Sequence, residues 1–324
     1  MHAASSNDHT GRQPSRREGT VIVACVVVWL AVTALFVGLR PEHLYIALFL
    51  GVMLFATTQT RKLVVALMPF VVFGISYDWM NILPNYEVNP VDIFGLYSAE
   101  SSIFGILLPA ASPEVAGTIV TPNEWFALHT TPLLDFMAGC FYLCWVPVPV
   151  LFGVWLYFDR QYSEYLHFAL VFLLVNLLGF ALYYVHPAAP PWYVAQYGFD
   201  FIPGTHGETA GLAAWDSMTG LGIFDALYSR NSNVFAAFPS LHAAYMLVAT
   251  IYALRARCSW WLRGLFAFIC AGIWFTAVYT SHHYIIDILA GIAVTIVGYL
   301  LFECILMRIP PIARFLKAYE RYIG

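Results

Sequence analysis

Long apolar runs, separated by short polar segments, make up most of the chain after its polar start. A helix that crosses a bilayer needs about 20 mostly apolar residues, and eight runs approach or reach that length. The pattern predicts an all-α fold, a polytopic transmembrane helical bundle with about eight spans, formed as a single domain by residues 20–324. The predicted spans are residues 20–38, 43–58, 62–79, 134–158, 165–185, 240–256, 262–281 and 284–306.

Two connections, residues 80–133 and 186–239, are much longer than the others. Loops of this length are usually functional. The first contains the apolar stretch SIFGILLPAASPEVAG, interrupted by Pro109 and Pro113. This stretch is too short to cross a bilayer, so we predict a re-entrant or interfacial helix there. The last two predicted spans nearly touch, which requires a tight turn at residues 281–283, at the membrane edge.

Composition supports a membrane protein and excludes other classes. The chain is 60% hydrophobic and 10% charged, whereas soluble domains carry roughly 25% charged residues. The chain has no basic stripe, which is the feature that would indicate nucleic acid binding. The six cysteines fall mostly in apolar runs without a CxxC pair, so neither a disulfide framework nor a zinc site is indicated. The absence of an internal repeat argues against secondary transporters built from inverted repeats.

The positions of the basic residues predict the orientation. Residues 1–19 are polar, which is typical of a disordered cytoplasmic tail. With this tail inside, all of the 15 lysines and arginines except Arg40 and Arg230 fall in cytoplasmic segments, as the positive-inside rule requires. An even number of spans places both termini in the cytoplasm. Both long connections and the turn at residues 281–283 then face the periplasm, a lumen or the exterior.

That turn carries ionisable residues inside the otherwise apolar sequence VYTSHHYIIDILAG. If a helix extends from residue 283, His283 and Asp287 lie one turn apart on one face. Asp287 can then accept a proton from one ring nitrogen, which leaves the other nitrogen as a nucleophile or base. His282 has Ile286 at that spacing, so we predict that His283 acts and that His282 is a neighbour.

A second group of polar residues lies in FPSLHAAY, residues 238–245. Pro239 suits the first turn of a helix, which places Ser240 and His242 at a helix N-terminus. The free backbone N–H groups there and the positive end of the helix dipole favour an anion. The predicted topology puts this helix start on the same outer side as His283.

Together these residues predict phosphoryl transfer without a metal. One histidine would attack phosphorus and the other would protonate the leaving oxygen, while the helix start and a cation hold the phosphoryl oxygens. Arg230 is the candidate cation, with a solvated loop arginine as the alternative. A purely structural role for the histidines and a metal site of His242, His283 and Asp287, with His186 nearby in the topology, are further alternatives.

These motifs resemble those of the phosphatidic acid phosphatase type 2 superfamily. The second superfamily motif is matched by PSLH at residues 239–242, and the third by His283 and Asp287. The third motif usually has an arginine after its first serine, whereas here Ser281 is followed by His282. The first motif, lysine, six residues, then Arg-Pro, finds no match at Lys62, which leaves the usual phosphate clamp undefined.

Within the superfamily, the chain resembles the inositol phosphorylceramide synthase branch. The strings that carry this resemblance are HPAAPPWY at 186–193, AGLAAWDSMTGLGIF at 210–224, NSNVFAAFPSLHA at 231–243 and SHHYIID at 281–287. The resemblance places a catalytic core at about residues 134–306, in the C-terminal two thirds of the chain. The first 130 residues match only as generic membrane helices.

The resemblance implies a transferase that moves phosphoinositol from phosphatidylinositol to a hydroxyl of ceramide or a related lipid and releases diacylglycerol. His283 would be the nucleophile, Asp287 would orient it, and His242 would be the acid and then the base. No cofactor and no obligate protein partner is implied. The substrate-binding candidates, beside a bilayer-embedded site, are Ser240 and Arg230 for the phosphate and His186, Trp192, Tyr193 and Asp216 for the lipid or inositol.

Three functions remain open at this point. A lipid-phosphate or polyprenyl-pyrophosphate phosphatase would use the same His/His/Asp site but would resolve the phosphohistidine with water. A transporter or channel would use the histidines as a proton relay, with no phosphohistidine. Trp192 and Tyr193 could also form an interfacial aromatic belt, and Asp135 is expected to stabilise a helix start.

Overall fold

The protein is described by a computed structural model that covers residue 14 and residues 16–108, 117–229 and 233–324. These residues form a helical bundle with one short antiparallel hairpin, in which Ile106 pairs with Val120 and Leu107 with Ile119. The elements are α1 (Arg16–Phe36), α2 (Pro41–Ala56), α3 (Thr58–Ala66), α4 (Met68–Trp79), α5 (Phe94–Phe104), β1 (Ile106–Leu107), β2 (Ile119–Val120), α6 (Pro122–Ala127), α7 (Pro132–Tyr142), α8 (Pro147–Phe158), α9 (Tyr162–Val185), α10 (Pro191–Tyr197), α11 (Ala213–Thr219), α12 (Ile223–Tyr228), α13 (Leu241–Arg255), α14 (Trp260–Tyr279), α15 (Ile285–Leu300) and α16 (Pro310–Ile323).

Within the described residues, four helices are long and apolar enough to cross a membrane, and up to six if each bent pair counts as one span. The four are α1, α9, α14 and α15 with its continuation to Arg308. The bent pairs are α3–α4, with a bend of 52°, and α7–α8, with a bend of 41°. Each predicted span overlaps one of these elements or the shorter apolar helices α2 and α13.

The centre of the bundle is α9, which packs against α4, α8, α13 and α15. Small residues allow the closest approaches. At Gly291 of α15, a Cβ atom would lie 2.1 Å from the carbonyl oxygen of Ser240, and at Gly179 of α9 it would lie 2.6 Å from the side chain of Leu241. The start of α13 is therefore wedged between α9 and α15, which fixes the position of His242.

Two predictions of local structure were wrong. Residues 102–117 were predicted to form a re-entrant or interfacial helix. Residues 102–104 are instead the end of α5, and Gly105 leaves the helix with an extended ψ of 139°. The chain then forms β1, because pairing with β2 satisfies its backbone polar groups; Pro109 and Pro113 lie outside the described residues. The polar tail was predicted to extend to residue 19, but α1 begins at Arg16, where Glu18 in its first turn suits the positive helix end.

A polar cluster ties the helices together at the end of the bundle opposite to His242. Glu303 lies in a π-helical segment, Leu301–Ile305, that follows α15. Its Oε1 accepts hydrogen bonds from the Tyr252 hydroxyl at 2.5 Å and from the Arg255 guanidinium at 2.5 Å, and lies 2.8 Å from Nδ1 of His167. One carboxylate thus links α9, α13 and the extension of α15.

This cluster generates a stability prediction. Replacing Glu303 with Gln keeps the shape but removes the charge that accepts from Arg255, so we expect a loss of about 1–3 kcal/mol and a lower midpoint of thermal unfolding in detergent. The exposed Asp159→Asn is the matched control and should change stability by less than about 0.5 kcal/mol. Equal midpoints for Glu303→Gln and the wild type would contradict a structural role for the cluster.

Candidate active site

Two histidines from separate helices meet at one end of the bundle. Nδ1 of His242, in the first turn of α13, lies 2.9 Å from Nε2 of His283, just before α15. The ring centroids are 5.1 Å apart. His283 is only 4% exposed, so its reactive nitrogen faces the partner ring and the cavity rather than bulk solvent.

The start of α13 is fixed by its cap and by α15. The Ser240 hydroxyl accepts a hydrogen bond from the Ala243 amide at 3.3 Å, which caps the helix. The Ser240 amide donates to the carbonyl oxygen of Asp287 at 2.9 Å. Because this bond joins the first turns of the two helices, the position of His242 depends directly on that of Asp287.

His283 lies in a tight turn, whereas the predicted spacing of His283 and Asp287 assumed a helix. The amides of His282 and His283 both donate to the carbonyl oxygen of Ala277, at 3.0 and 2.9 Å, and α15 begins only at Ile285. Nδ1 of His283 lies 2.9 Å from the carbonyl oxygen of Ala237 and 3.5 Å from Oδ2 of Asp287. Both neighbours are acceptors, so Nδ1 carries the proton and Nε2 keeps its lone pair.

Asp287 is fully buried, and its two oxygens differ. Oδ2 accepts a hydrogen bond from the Tyr284 amide at 2.8 Å, which closes the N-terminus of α15. Among the residues that the structure describes, Oδ1 has no hydrogen-bond partner. The carboxylate therefore lies beside His283 with its position set by the helix start, as an orienting group requires.

His282 lines the same cavity but is held differently. Its Nδ1 lies 2.9 Å from the Thr280 hydroxyl, and its ring packs against those of Tyr228 and Tyr142, at centroid distances of 4.7 and 5.4 Å. Burial, followed by the nearby His283, lowers the pKa of His282 to about 3. The ring is therefore neutral near pH 7, in the turn between α14 and α15.

The histidines open onto a cavity of about 540 Å³. This size is within the usual range for small-molecule sites. Its wall beside His242 is aromatic: the ring of Trp145 lies 4.5 Å and that of Tyr142 4.9 Å from the imidazole, the latter stacked. The other residues that line it include Arg40, Tyr77, Asp78, Phe180, Tyr183, Trp192, Tyr245, His282 and His283. A mainly apolar wall with a few polar groups suits a lipid with a polar head.

The structure places the predicted substrate-binding residues in different settings. Trp192 lines the cavity, and its amide donates to the carbonyl oxygen of Ser281 at 3.0 Å. Ser240 lies behind His242 and is fully buried. His186 pairs with Asp92, with Nε2 and Oδ2 3.3 Å apart. Arg230 lies outside the described residues.

Tyr193, Asp216 and Asp135 bind protein groups. The Tyr193 hydroxyl donates to the carbonyl oxygen of Asp200 and accepts from the Ile202 amide, both at 2.8 Å. Asp216 accepts from the amides of Phe224 and Asp225, at 3.3 and 2.8 Å, and so caps α12. Asp135 lies in the first turn of α7 and accepts from the Tyr279 hydroxyl at 2.6 Å. These contacts fix the loop at Asp200 and the starts of α7 and α12.

Two buried residues that the sequence did not single out hold the histidine turn. Oε1 and Oε2 of Glu100, in α5, accept from the amides of Ile285 and Ile286, at 3.0 and 3.1 Å. The side-chain amide of Asn123 donates to the carbonyl oxygens of Val278 and His283, at 2.8 and 2.9 Å. Burial raises the pKa of Glu100, while the two amides oppose that shift. No sequence motif marks either residue, because both bind backbone groups 155 to 186 positions away along the chain.

A metal-binding arrangement was the alternative for the histidines and Asp287. In the part of the chain that the structure describes, no group of three or more His, Cys, Asp or Glu side chains is placed to hold a metal ion. Instead, Nδ1 of His242 faces Nε2 of His283, and Asp287 lies beside Nδ1 of His283.

A helical bundle with two histidines and a carboxylate at the joined starts of two helices is the arrangement expected of the PAP2 superfamily, and the chain belongs to this superfamily. The superfamily's sequence model matches residues 117–301. Together with the long apolar helices, this membership defines an integral membrane protein. No solved structure matches the chain.

Curated relatives indicate the branch. The chain is 53% identical over 310 residues to a phosphoinositol dihydroceramide synthase of Bacteroides thetaiotaomicron, an alignment that covers 96% of this chain and 99% of the relative. It is 34% identical over 131 residues to the catalytic subunit of inositol phosphorylceramide synthase of Saccharomyces cerevisiae, with 40% of this chain and 31% of the relative covered. The inositol phosphorylceramide synthase of Candida albicans is 27% identical over 197 residues, which cover 57% of this chain and 39% of the relative.

The contacts of Glu100 predict a positioning role. In Glu100→Gln, one carbonyl oxygen replaces two carboxylate acceptors, so the turn that carries His283 should shift. We expect turnover to fall about ten- to a hundred-fold, the range that small misplacements produce, in a protein that still folds. Turnover on the lipid substrate and thermal unfolding should be measured together. The exposed Glu87→Gln is the control, and wild-type turnover in Glu100→Gln would refute the role.

The lowered pKa of His282 predicts an effect of pH on stability. The unfolded chain binds a proton on this residue below about pH 6.5, whereas the folded chain does so only near pH 3. Stability therefore falls as the pH is lowered through this window. In His282→Gln, the fall in unfolding midpoint between pH 7 and pH 4 should be smaller than in the wild type. His206→Gln, in an exposed loop, should keep the wild-type slope, and a wild-type slope in His282→Gln would count against the burial argument.

Proposed function

We propose that the protein is a membrane phosphotransferase that moves phosphoinositol from phosphatidylinositol to a primary hydroxyl of ceramide or dihydroceramide and releases diacylglycerol. The observation that carries this proposal is 53% identity over nearly the whole chain to a phosphoinositol dihydroceramide synthase. The histidine pair supplies the chemistry that such a transfer needs. The reaction uses the chain's own side chains as nucleophile, acid and base.

In the first half of the reaction, Nε2 of His283 attacks the phosphorus of phosphatidylinositol. A bond forms between this nitrogen and phosphorus, and the bond from phosphorus to the glycerol oxygen breaks. His242 in its imidazolium form gives its proton to that oxygen, so that neutral diacylglycerol leaves. The carbonyl oxygen of Ala237 and Asp287 hold the proton on Nδ1 of His283 and stabilise the positive charge that develops on its ring.

In the second half, neutral His242 removes the proton from the ceramide hydroxyl. The resulting oxygen attacks phosphorus, and Nε2 of His283 leaves as the neutral imidazole. The proton on His242 then restores the starting state. Water in place of the ceramide hydroxyl would give hydrolysis, the reaction of the alternative phosphatase. The aromatic wall of Trp145 and Tyr142 beside His242 favours the lipid acceptor by keeping water from the ring.

The direct contact between the rings requires a movement on substrate binding. In an in-line displacement the attacking and leaving atoms lie on opposite sides of phosphorus. Nδ1 of His242 cannot stay 2.9 Å from Nε2 of His283 while it protonates the leaving oxygen. His283 has two further acceptors at Nδ1, so His242 is the ring that turns away to admit the phosphate.

We also propose the finer topology: eight spans, both termini in the cytoplasm and the active site on the periplasmic or lumenal side. The distribution of lysine and arginine supports it. The fold is consistent with it, because the start of α2, the end of α4, the start of α13 and the α14–α15 turn all contribute residues to one cavity. Alternating helix directions then place these four points on one face of the membrane.

The experiment that tests the function uses purified protein with head-group-labelled phosphatidylinositol and dihydroceramide. Label should pass to the sphingolipid as diacylglycerol is released in equal amount. Free inositol phosphate as the sole labelled product would assign the protein as a phosphatase. Ion flux without any labelled product would assign a transporter instead.

Substitutions of His283, Asp287 and His282 test the proposed roles of these residues. His283→Ala should abolish a phosphohistidine trapped by rapid quenching, and Asp287→Asn should lower turnover by about 10⁴, as loss of an orienting carboxylate does in other His-based sites. His282→Ala should lower turnover less than His283→Ala. The exposed His129→Ala is the control. Equal losses in the His282 and His283 variants would overturn the assignment of the nucleophile.

A further inference from the structure

The cavity has a second polar region, formed by the first helices of the chain. Arg40, which precedes α2, and Asp78, near the end of α4, line the same cavity as His242 and His283. The Arg40 guanidinium donates to Oδ1 of Asp78, and Nε2 of His43 lies 3.1 Å from Oδ2. The side chain of Asp78 is 20% exposed and that of Arg40 is 42% exposed, so both remain accessible. His43 is buried behind them.

The charges of this pair decide what it can bind. Among the described residues that line the cavity, Asp78 is the sole carboxylate and Arg40 the sole guanidinium. Each largely neutralises the other, so the pair is a poor site for a phosphate, which the carboxylate would repel. Adjacent hydroxyl groups suit it better, because a carboxylate accepts from O–H groups while a guanidinium donates to their oxygens. A neutral polyol matches both members.

The proposed reaction gives such a site a role. The inositol ring stays attached to phosphorus through both halves of the transfer, while diacylglycerol leaves and the sphingolipid enters. Between the two halves phosphorus is bonded to Nε2 of His283, but the inositol ring can still turn about that linkage. Hydroxyls bound by the cavity wall would fix the ring while one lipid leaves and the other enters. The histidine region is occupied by the phosphate, and the Arg40–Asp78 pair is the charged donor and acceptor on another part of the wall.

We propose that Arg40 and Asp78 form the subsite that binds the hydroxyls of the inositol ring, with His43 fixing the Asp78 carboxylate from behind. This inference rests on the proposed function. It gives a specific role to the first part of the chain, outside the region that matches the superfamily model.

The test compares the two substrates of one reaction. In Asp78→Asn and in Arg40→Gln, the KM for phosphatidylinositol should rise at least about tenfold, as loss of a hydrogen bond to a charged group predicts. The KM for dihydroceramide, which has no inositol ring, should stay within about twofold. Phosphohistidine formed at saturating phosphatidylinositol should be retained. Free inositol should inhibit the wild type and inhibit both variants less. The exposed outer-loop Asp200→Asn is the matched control.

The outcomes separate the two proposals. If the wild type transfers no phosphoinositol, the proposed function fails before any variant is compared. If the wild type transfers it but both KM values change equally, the pair is a structural bridge between α2 and α4, and the subsite is refuted. A lower kcat and lost phosphohistidine at saturation would instead place the pair at the phosphate and would equally refute the polyol subsite, as would wild-type behaviour in both variants.

Discussion

The contact between the first turns of α13 and α15 is the constraint on which the site depends. His242 of α13 and His283, just before α15, come together only because Gly291 lets the backbone of Ser240 approach α15. The bond from the Ser240 amide to the Asp287 carbonyl oxygen then fixes their register. Any side chain at Gly291 would separate these turns, and the 2.9 Å contact between the imidazoles would be lost with them.

Several polar side chains around this contact form hydrogen bonds with backbone groups. Glu100 and Asn123 hold the turn before α15, Asp216 caps α12, and Tyr193 ties the loop at Asp200 and Ile202. Each meets amides or carbonyls that tight turns leave without a partner, and such groups are costly to bury unpaired. These hydrogen bonds thus tie the loops and turns around the cavity to one another.

The sequence predicted the parts of the fold and site that depend on local pattern. Apolar runs predicted all the long helices, and the PSLH start of α13 and the spacing of His283 and Asp287 predicted residues that the structure brings together. His283 and Asp287 are neighbours although His283 is not helical, because the Asp287 side chain extends from the first turn of α15 to the turn before it. The contacts of Glu100, Asn123 and Asp216 with backbone groups of other segments were not predictable. Nothing local distinguishes Glu100 from a surface carboxylate, or shows that Asp216 binds amides.

The two imidazoles differ in how firmly they are held, and this difference fits their proposed roles. His283 is fixed by the backbone of Ala277, by the carbonyl oxygen of Ala237 and by Asp287. Among the described residues, the hydrogen-bond partner of the His242 ring is His283 itself, and aromatic rings contact its faces. Stacking permits a ring to slide or turn at little cost, whereas three polar contacts do not. A nucleophile gains from a fixed position, while a group that first protonates one lipid and then deprotonates another must follow two different oxygens. In the proposed mechanism, a phosphate that binds beside His283 therefore displaces His242, while His283 keeps its position.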